Sequence, residues 1–197
     1  MTVAATAFGA ICADPPWDES GGGKIKRGAD KHYPLLNTHD IPRVMMSAPE
    51  WRPANDSHLY LWVTNNFLPD GMWVMSMLGF RYVTNIAWVK DKSGLGVYFR
   101  GKHELILFGV RGVGINARTE RRNLSTVFDD AADIDGLSIG APRGIHSAKP
   151  ADFRELIEQR SRGPHLEMFC RGEPRPGWTA WGNELAGAGT ALEGRCA

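Results

Sequence analysis

The sequence predicts an α/β protein whose central sheet is covered by helices on both faces. Short apolar runs at residues 7–13, 59–63, 82–89, 105–110 and 165–170 have the length and composition of buried strands. Segments 65–78 and 151–160, placed between those runs, carry apolar residues near helical spacing. Gly79 follows the first of these segments, where a left-handed residue closes a helix.

Taken in order, residues 7–13 read as the first strand and residues 19–31 as a glycine- and lysine-rich loop. Within 24–31 that loop holds Lys24, Lys26, Arg27 and Lys31 against the single acid Asp30. Thr38 is expected to cap a short helix. Residues 59–63 give the second strand, and 65–78 a helix with Phe67, Met72, Met75 and Leu78 on one face. The third strand spans 82–89, a glycine-rich loop 91–101, and the fourth strand 105–110. Residues 111–136 read as irregular, with solvated charges at Arg118, Arg121 and Arg122 and at Asp129, Asp130, Asp133 and Asp135. Pro150 falls in the first turn of the next helix, whose buried face is Phe153, Leu156 and Ile157. Strands at 165–170 and 178–181 complete the set.

Composition limits the classes available. With 197 residues, 43% of them hydrophobic, residues 1–186 suit a single domain and 187–197 a small polar tail. A formal net charge of +1 sets no global demand for a polyanion, so any such binding must rest on local patches. Cys12, Cys170 and Cys196 are odd in number and far apart, which suits neither a disulfide framework nor a zinc site, and no metal is expected. No basic segment leads into an apolar core at the start, and no apolar run reaches about 18 residues. A cytoplasmic protein without membrane contact is the expectation. The seven tryptophans are many for this length, and some are expected to line a cleft.

The most informative segment is Asp14-Pro15-Pro16-Trp17, directly after the first strand. Each proline fixes φ and removes a backbone N–H, so the stretch is stiff and rich in acceptors. A carboxylate and carbonyls aimed one way suit an exocyclic –NH2 group, and Trp17 offers a flat face for the ring that bears it. In open α/β sheets ligands bind outside the carboxyl ends of the strands. Asp14 to Trp17, the loops after Val63 and Val89, and Arg171 all belong to that rim.

This tetrapeptide resembles the DPPW signature of the MT-A family of adenine N6-methyltransferases. Further blocks resemble that family in the same order: Leu59-Tyr60-Leu61-Trp62-Val63-Thr64, Ile86-Ala87-Trp88-Val89-Lys90, and Glu104 through Gly112. They continue with His146-Ser147-Ala148-Lys149-Pro150, Leu166-Glu167-Met168-Phe169-Cys170-Arg171 and Gly182-Asn183-Glu184-Leu185. The resemblance implies a Rossmann-like methyltransferase fold with a mostly parallel sheet, in permuted order, the catalytic motif preceding the cofactor motif. It implies S-adenosyl-L-methionine (SAM) as cofactor, held by Lys149, Glu167, Arg171, Asn183 and Glu184.

By the same resemblance Asp14, Pro15, Pro16 and Trp17 form the catalytic clamp on the N6 amine of adenine. Glu104 and Tyr33 would lie near the target nucleoside, with loops around it; in this chain those loops offer Lys26, Arg27, Arg100 and Lys102 to hold phosphates and Tyr98 and Phe99 for stacking. DNA is the expected substrate, in a bacterial or phage setting. The alternatives are the same chemistry on RNA, or a catalytically silent nucleic-acid-binding subunit, against which the intact tetrapeptide argues. Some family members dimerise through the region after Trp88, so a homodimer or a partner subunit is an expectation.

Departures from the family pattern fall at Cys170, in place of a glycine, and at Glu173 and Pro174, in place of histidine and asparagine. By the resemblance, the family strand ahead of DPPW that contacts the cofactor adenine is expected to have no counterpart in this sequence. That contact is expected near Trp178 or in a more open site.

Overall fold

Six consecutive buried residues, Phe8–Ala13, form β1, a central strand of a seven-stranded sheet. The computed structural model describes residues 6–18, 35–90, 93, 98–121, 123–129, 133–134, 137–138, 153–182 and 184–185. A 3-10 turn at Thr38–Asp40 leads into helix α1 (Ile41–Ser47). Its capping residue is Asn37, not Thr38: the Asn37 side chain accepts a hydrogen bond from the His39 backbone N–H at 3.0 Å. Strand β2 (Pro53–Val63) starts six residues earlier than its apolar run: Pro53 pairs with Phe8 of β1, and the polar Ser57 and His58 pair with Arg111 and Val110 and are buried.

Helix α2 (Leu68–Met77) follows a 3-10 turn at Asn65–Phe67 and closes on Gly79 at φ +78°. Its buried face is Gly71, Val74 and Met75, whereas Met72 is 38% exposed. Glycine acts here as a contact residue. A Cβ on Gly71 would lie 3.0 Å from Leu107 Cδ1, and one on Gly109 would lie 2.6 Å from Met75 Sδ. The helix therefore rests closer to the sheet than side chains on both sides would permit.

Strands β3 (Arg81–Val89) and β4 (His103–Arg111) follow. The stretch expected to be irregular contains a 3-10 turn at Gly114–Ala117 and strand β5 (Val127–Asp129), which extends the sheet beside β3. Edge pairing of three residues leaves too short a pattern to read in sequence. Strands β6 (Asp133–Ile134) and β7 (Leu137–Ser138) form a small separate ladder.

Helix α3 (Phe153–Arg160) precedes β8 (His165–Met168), which ends two residues early because Phe169 takes a left-handed φ of +61°. Then come β9 (Arg171–Gly172), β10 (Trp178–Trp181) and β11 (Glu184–Leu185).

The sheet order is β10-β8-β1-β2-β4-β3-β5, with only β4 antiparallel to its neighbours. Period-two alternation sorts the core into two layers. Ile11, Ala13, Leu59, Leu61 and Val63 pack toward α1 and α2. Cys12, Tyr60, Trp62, Ile106 and Trp88 pack toward α3, through Phe153, Leu156 and Ile157. Trp62 meets Phe153 edge-on at 4.9 Å and Trp88 at 5.8 Å, so these two tryptophans build core and do not line a cleft. No helix among the described residues is long and apolar enough to cross a membrane.

From β1 the chain crosses to β2 on one side, and it later returns to place β8 on the other. The winding direction reverses between β1 and β8. Their carboxyl ends, at Ala13 and Met168, open the crevice that such a switch point creates.

Candidate active site

Asp14 stands on one side of the switch point and Arg171 on the other. The Arg171 guanidinium lies 3.5 Å from the Asp14 carboxylate, with the side chains 29% and 23% exposed. Asp14 N–H also reaches the Met168 carbonyl at 3.5 Å, which ties the two strand ends together. A positive and a negative group therefore share a half-open rim position, where solvent screens them only in part.

The tetrapeptide is pinned from three sides. Trp17 N–H donates to the Pro15 carbonyl at 2.9 Å, Leu36 N–H donates to the Pro16 carbonyl at 2.8 Å, and Trp17 Nε1–H donates to the Trp62 carbonyl at 3.0 Å. Two sequence expectations change as a result. The Pro15 carbonyl is not idle: it spends one lone pair on Trp17 and keeps the second for another donor. Trp17 is 5% exposed with its ring against Phe67 at 5.6 Å, so the indole anchors the turn and presents no open face. Burying a large ring is the more favourable use of its apolar surface.

Glu167 is bound in a fork by Arg154 of α3: Nε donates to Oε2 at 2.9 Å and the terminal nitrogen to Oε1. The carboxylate is 13% exposed on the α3 face, where Glu167 pairs in register with Cys12. The carboxylate that the resemblance assigns to the cofactor thus already accepts two hydrogen bonds from a guanidinium. Burial opposes the charge on Arg154, but the hydrogen bonds and charge of Glu167 outweigh that and raise its pKa. Burial, and then the Glu167 charge, push the Cys12 thiol far above its usual range, and burial first pushes Cys170 up to about 12. Both thiols are therefore protonated and unreactive.

Arg154 is the residue that sequence reasoning missed. A clue exists: it sits in the first turn of α3, where the helix dipole disfavours a cation. Phe169 was missed in a second sense, as a non-glycine residue at positive φ beside the crevice, its ring packed on Trp181 at 5.4 Å.

Glu104 lies at the same end of the sheet, bound to Lys90, which in turn sits 5.1 Å over the Trp88 ring. Arg100 and Lys102 are exposed on the loop between β3 and β4. Glu184 stands opposite Arg171 in the ladder of β11 with β9. Tyr33, Lys26, Arg27, Lys149 and Asn183 lie outside the described residues. Trp178 is placed wrongly for the cofactor adenine: it pairs with His165 at the amino end of β8, stacks on that imidazole at 4.8 Å and bonds Glu158. Trp181 is the tryptophan at the carboxyl end.

A mostly parallel sheet with a winding reversal, and a carboxylate and a guanidinium on the rim beside it, fit a Rossmann-like methyltransferase fold. Residues 8–184 match the MT-A70 family, and the chain belongs to it. It is 27% identical over 197 residues to an Arabidopsis thaliana N(6)-adenosine-methyltransferase MT-A70-like protein, covering 95% of this chain and 25% of that one. It is 26% identical over 190 residues to the human N(6)-adenosine-methyltransferase catalytic subunit METTL3, covering 91% and 28%. To mouse N(6)-adenine-specific methyltransferase METTL4 it is 28% identical over 193 residues, covering 90% and 37%. The chain thus spans only about a quarter to two fifths of these relatives. MT-A70 methyltransferases use SAM. The rim suits that group, since SAM carries a carboxylate and the crevice offers the Arg171 guanidinium.

Proposed function

We propose that this chain transfers a methyl group from SAM to the exocyclic N6 amine of adenine in DNA. The observation that carries the reading is the position of Asp14: at the end of β1, beside the switch point, on a turn locked by Trp17 and Leu36. When bound, SAM supplies the electrophilic methyl group.

The remaining work belongs to the protein. The N6 lone pair is delocalised into the purine ring, so the amine must be held with that lone pair aimed at the methyl. Asp14 accepts a hydrogen bond from one N6–H and the second lone pair of the Pro15 carbonyl accepts one from the other; once the N–CH3 bond has formed, one N6 proton is lost to water. Rate then comes from orientation and from dipoles already fixed before the substrate arrives. The hydrogen bond from Trp17 to the Trp62 carbonyl keeps the turn from yielding when the base docks.

In this reading Arg171 and Lys149 take the cofactor carboxylate, Asn183 and Glu184 its ribose, and the Arg154–Glu167 pair walls the crevice on the α3 side. Glu104 and Tyr33 face the target nucleoside, while Lys26, Arg27, Arg100 and Lys102 hold phosphates. RNA is a second reading, favoured by the plant and human relatives whose names specify adenosine.

Incubation with tritiated-methyl SAM and matched DNA and RNA oligonucleotides, with and without adenine, tests both readings. Label in adenine-containing DNA, released on digestion as N6-methyldeoxyadenosine, is the expected result. Label in RNA alone selects the second reading, and no label in any strand overturns the activity.

A further inference from the structure

Among the described residues most large aromatics are buried or partly buried; Trp73 is 37% exposed, and Tyr98 and Phe99 stand far beyond it. Tyr98 and Phe99 are 92% and 91% exposed, whereas Trp17, Trp62, Trp88 and Phe128 are all below 7%. Two neighbouring rings held in water forfeit the burial that the other aromatics obtain, so their place on the surface calls for a ligand.

Their position says where that ligand comes from. They belong to the loop between β3 and β4, whose stem is closed by Lys90 N–H donating to the Lys102 carbonyl at 2.8 Å. The stem opens at the carboxyl end of β3, the same end of the sheet as Asp14. It is joined to the clamp through one 3-10 turn: the Asn65 amide reaches the His103 carbonyl at 3.5 Å, and Phe67 of that turn packs on Trp17.

The charge on the loop arm selects the chemistry. Arg100 and Lys102 are exposed, and the nearest acid in sequence, Glu104, is bound to Lys90. Flat faces interleaved with cations match a strand of unpaired nucleotides, in which bases stack on the rings and phosphates meet the cations. In a duplex the base faces are already stacked on one another and a base must be flipped out to be reached.

We propose that Tyr98 and Phe99 form a stacking platform for the unpaired bases that flank the target adenine. Single-stranded nucleic acid is then the form this chain engages. The proposal rests on the nucleic-acid reading above and adds to it the strandedness of the substrate and the residues that read it.

Fluorescence anisotropy with a labelled adenine-containing 12-mer, single-stranded, duplexed, or with abasic sites flanking the adenine, tests it on the whole chain. The wild type is expected to bind the single strand at least about tenfold more tightly than the flanking-abasic strand. The Tyr98→Ala/Phe99→Ala variant is expected to lose that difference, and Tyr98→Phe/Phe99→Tyr to keep it. SAM binding by calorimetry should be equal in all three proteins. The slope of affinity against salt should also be unchanged, because stacking releases no counterions. Equal binding of the single strand by the alanine variant and the wild type overturns the platform alone. Absence of binding to any strand by the wild type overturns the nucleic-acid reading with it. Altered sedimentation of the variant with unaltered oligonucleotide binding assigns the pair to a protein contact and also overturns the proposal.

Discussion

Arg171 and Asp14 meet 3.5 Å apart at the switch point, Asp14 directly after β1 and Arg171 on β9, three residues beyond the end of β8. Under the proposed function the two have separate duties. Asp14→Ala should lower methyl transfer at least about 100-fold by removing a fixed acceptor from the transition state, with SAM affinity within about threefold of wild type. Arg171→Met should do the reverse, raising KM for SAM more than it lowers kcat. A filter-binding transfer assay with calorimetric SAM titration separates them, and equal effects of both variants on both quantities would sink this division.

The Arg154–Glu167 fork is largely shielded from water, so removing one partner leaves an uncompensated charge. Arg154→Met is expected to destabilise the fold by about 2 kcal/mol, and Arg154→Lys to recover less than half, since an ammonium cannot reproduce two parallel bonds. The double variant Arg154→Met/Glu167→Gln should be more stable than Arg154→Met alone. Urea unfolding of the four proteins measures this, and additive losses would contradict it.

Gly182 allows a close crossing of backbones. A Cβ there would lie 2.2 Å from the Cys170 carbonyl oxygen, beside the bond from Cys170 N–H to the Trp181 carbonyl at 2.9 Å. Gly182→Ala should therefore cost about 1–3 kcal/mol and displace Arg171, weakening SAM binding about tenfold. Unchanged Tm and unchanged SAM affinity would show that the crossing relaxes freely.

Stability should fall in mild acid through His58. Its Nε2 meets the Gly114 carbonyl at 2.7 Å and must donate, so Nδ1 accepts from Ser161 Oγ at 2.6 Å, and Ser161 Oγ accepts from Tyr60 OH at 2.7 Å. Burial, the largest cause, holds the His58 pKa below its ordinary value. The unfolded chain consequently takes up the proton first. The stabilisation is full above about pH 6.5 and is lost as pH falls from there through the folded-state pKa. Denaturation midpoints between pH 8 and 5 should drop more steeply for the wild type than for His58→Gln, and parallel curves would exclude His58 as the source.

Several elements were legible before any coordinate because their signal is local. The runs in β1, β2, β3 and β4, the helix pattern of α3 and the left-handed Gly79 each depend on neighbours within a few residues. The buried face of α2 was misread because Gly71 makes contact by having no side chain, a property invisible to hydrophobic periodicity. Strand β5 escaped because three edge residues gain their conformation from β3 and not from their own composition.

By itself the sequence determined the α/β class, the stiffness of Asp14-Pro15-Pro16-Trp17 and the ordered blocks through which the MT-A70 family is recognised, since all of these are written in consecutive residues. Tertiary structure alone decided which groups meet. Arg171 faces Asp14, Arg154 takes the oxygens of Glu167, and the Trp17 ring turns inward to Phe67 and the Trp62 carbonyl. The physical reason is that these contacts join residues up to 157 positions apart, and their partners are chosen by sheet order and strand register, which no local pattern encodes.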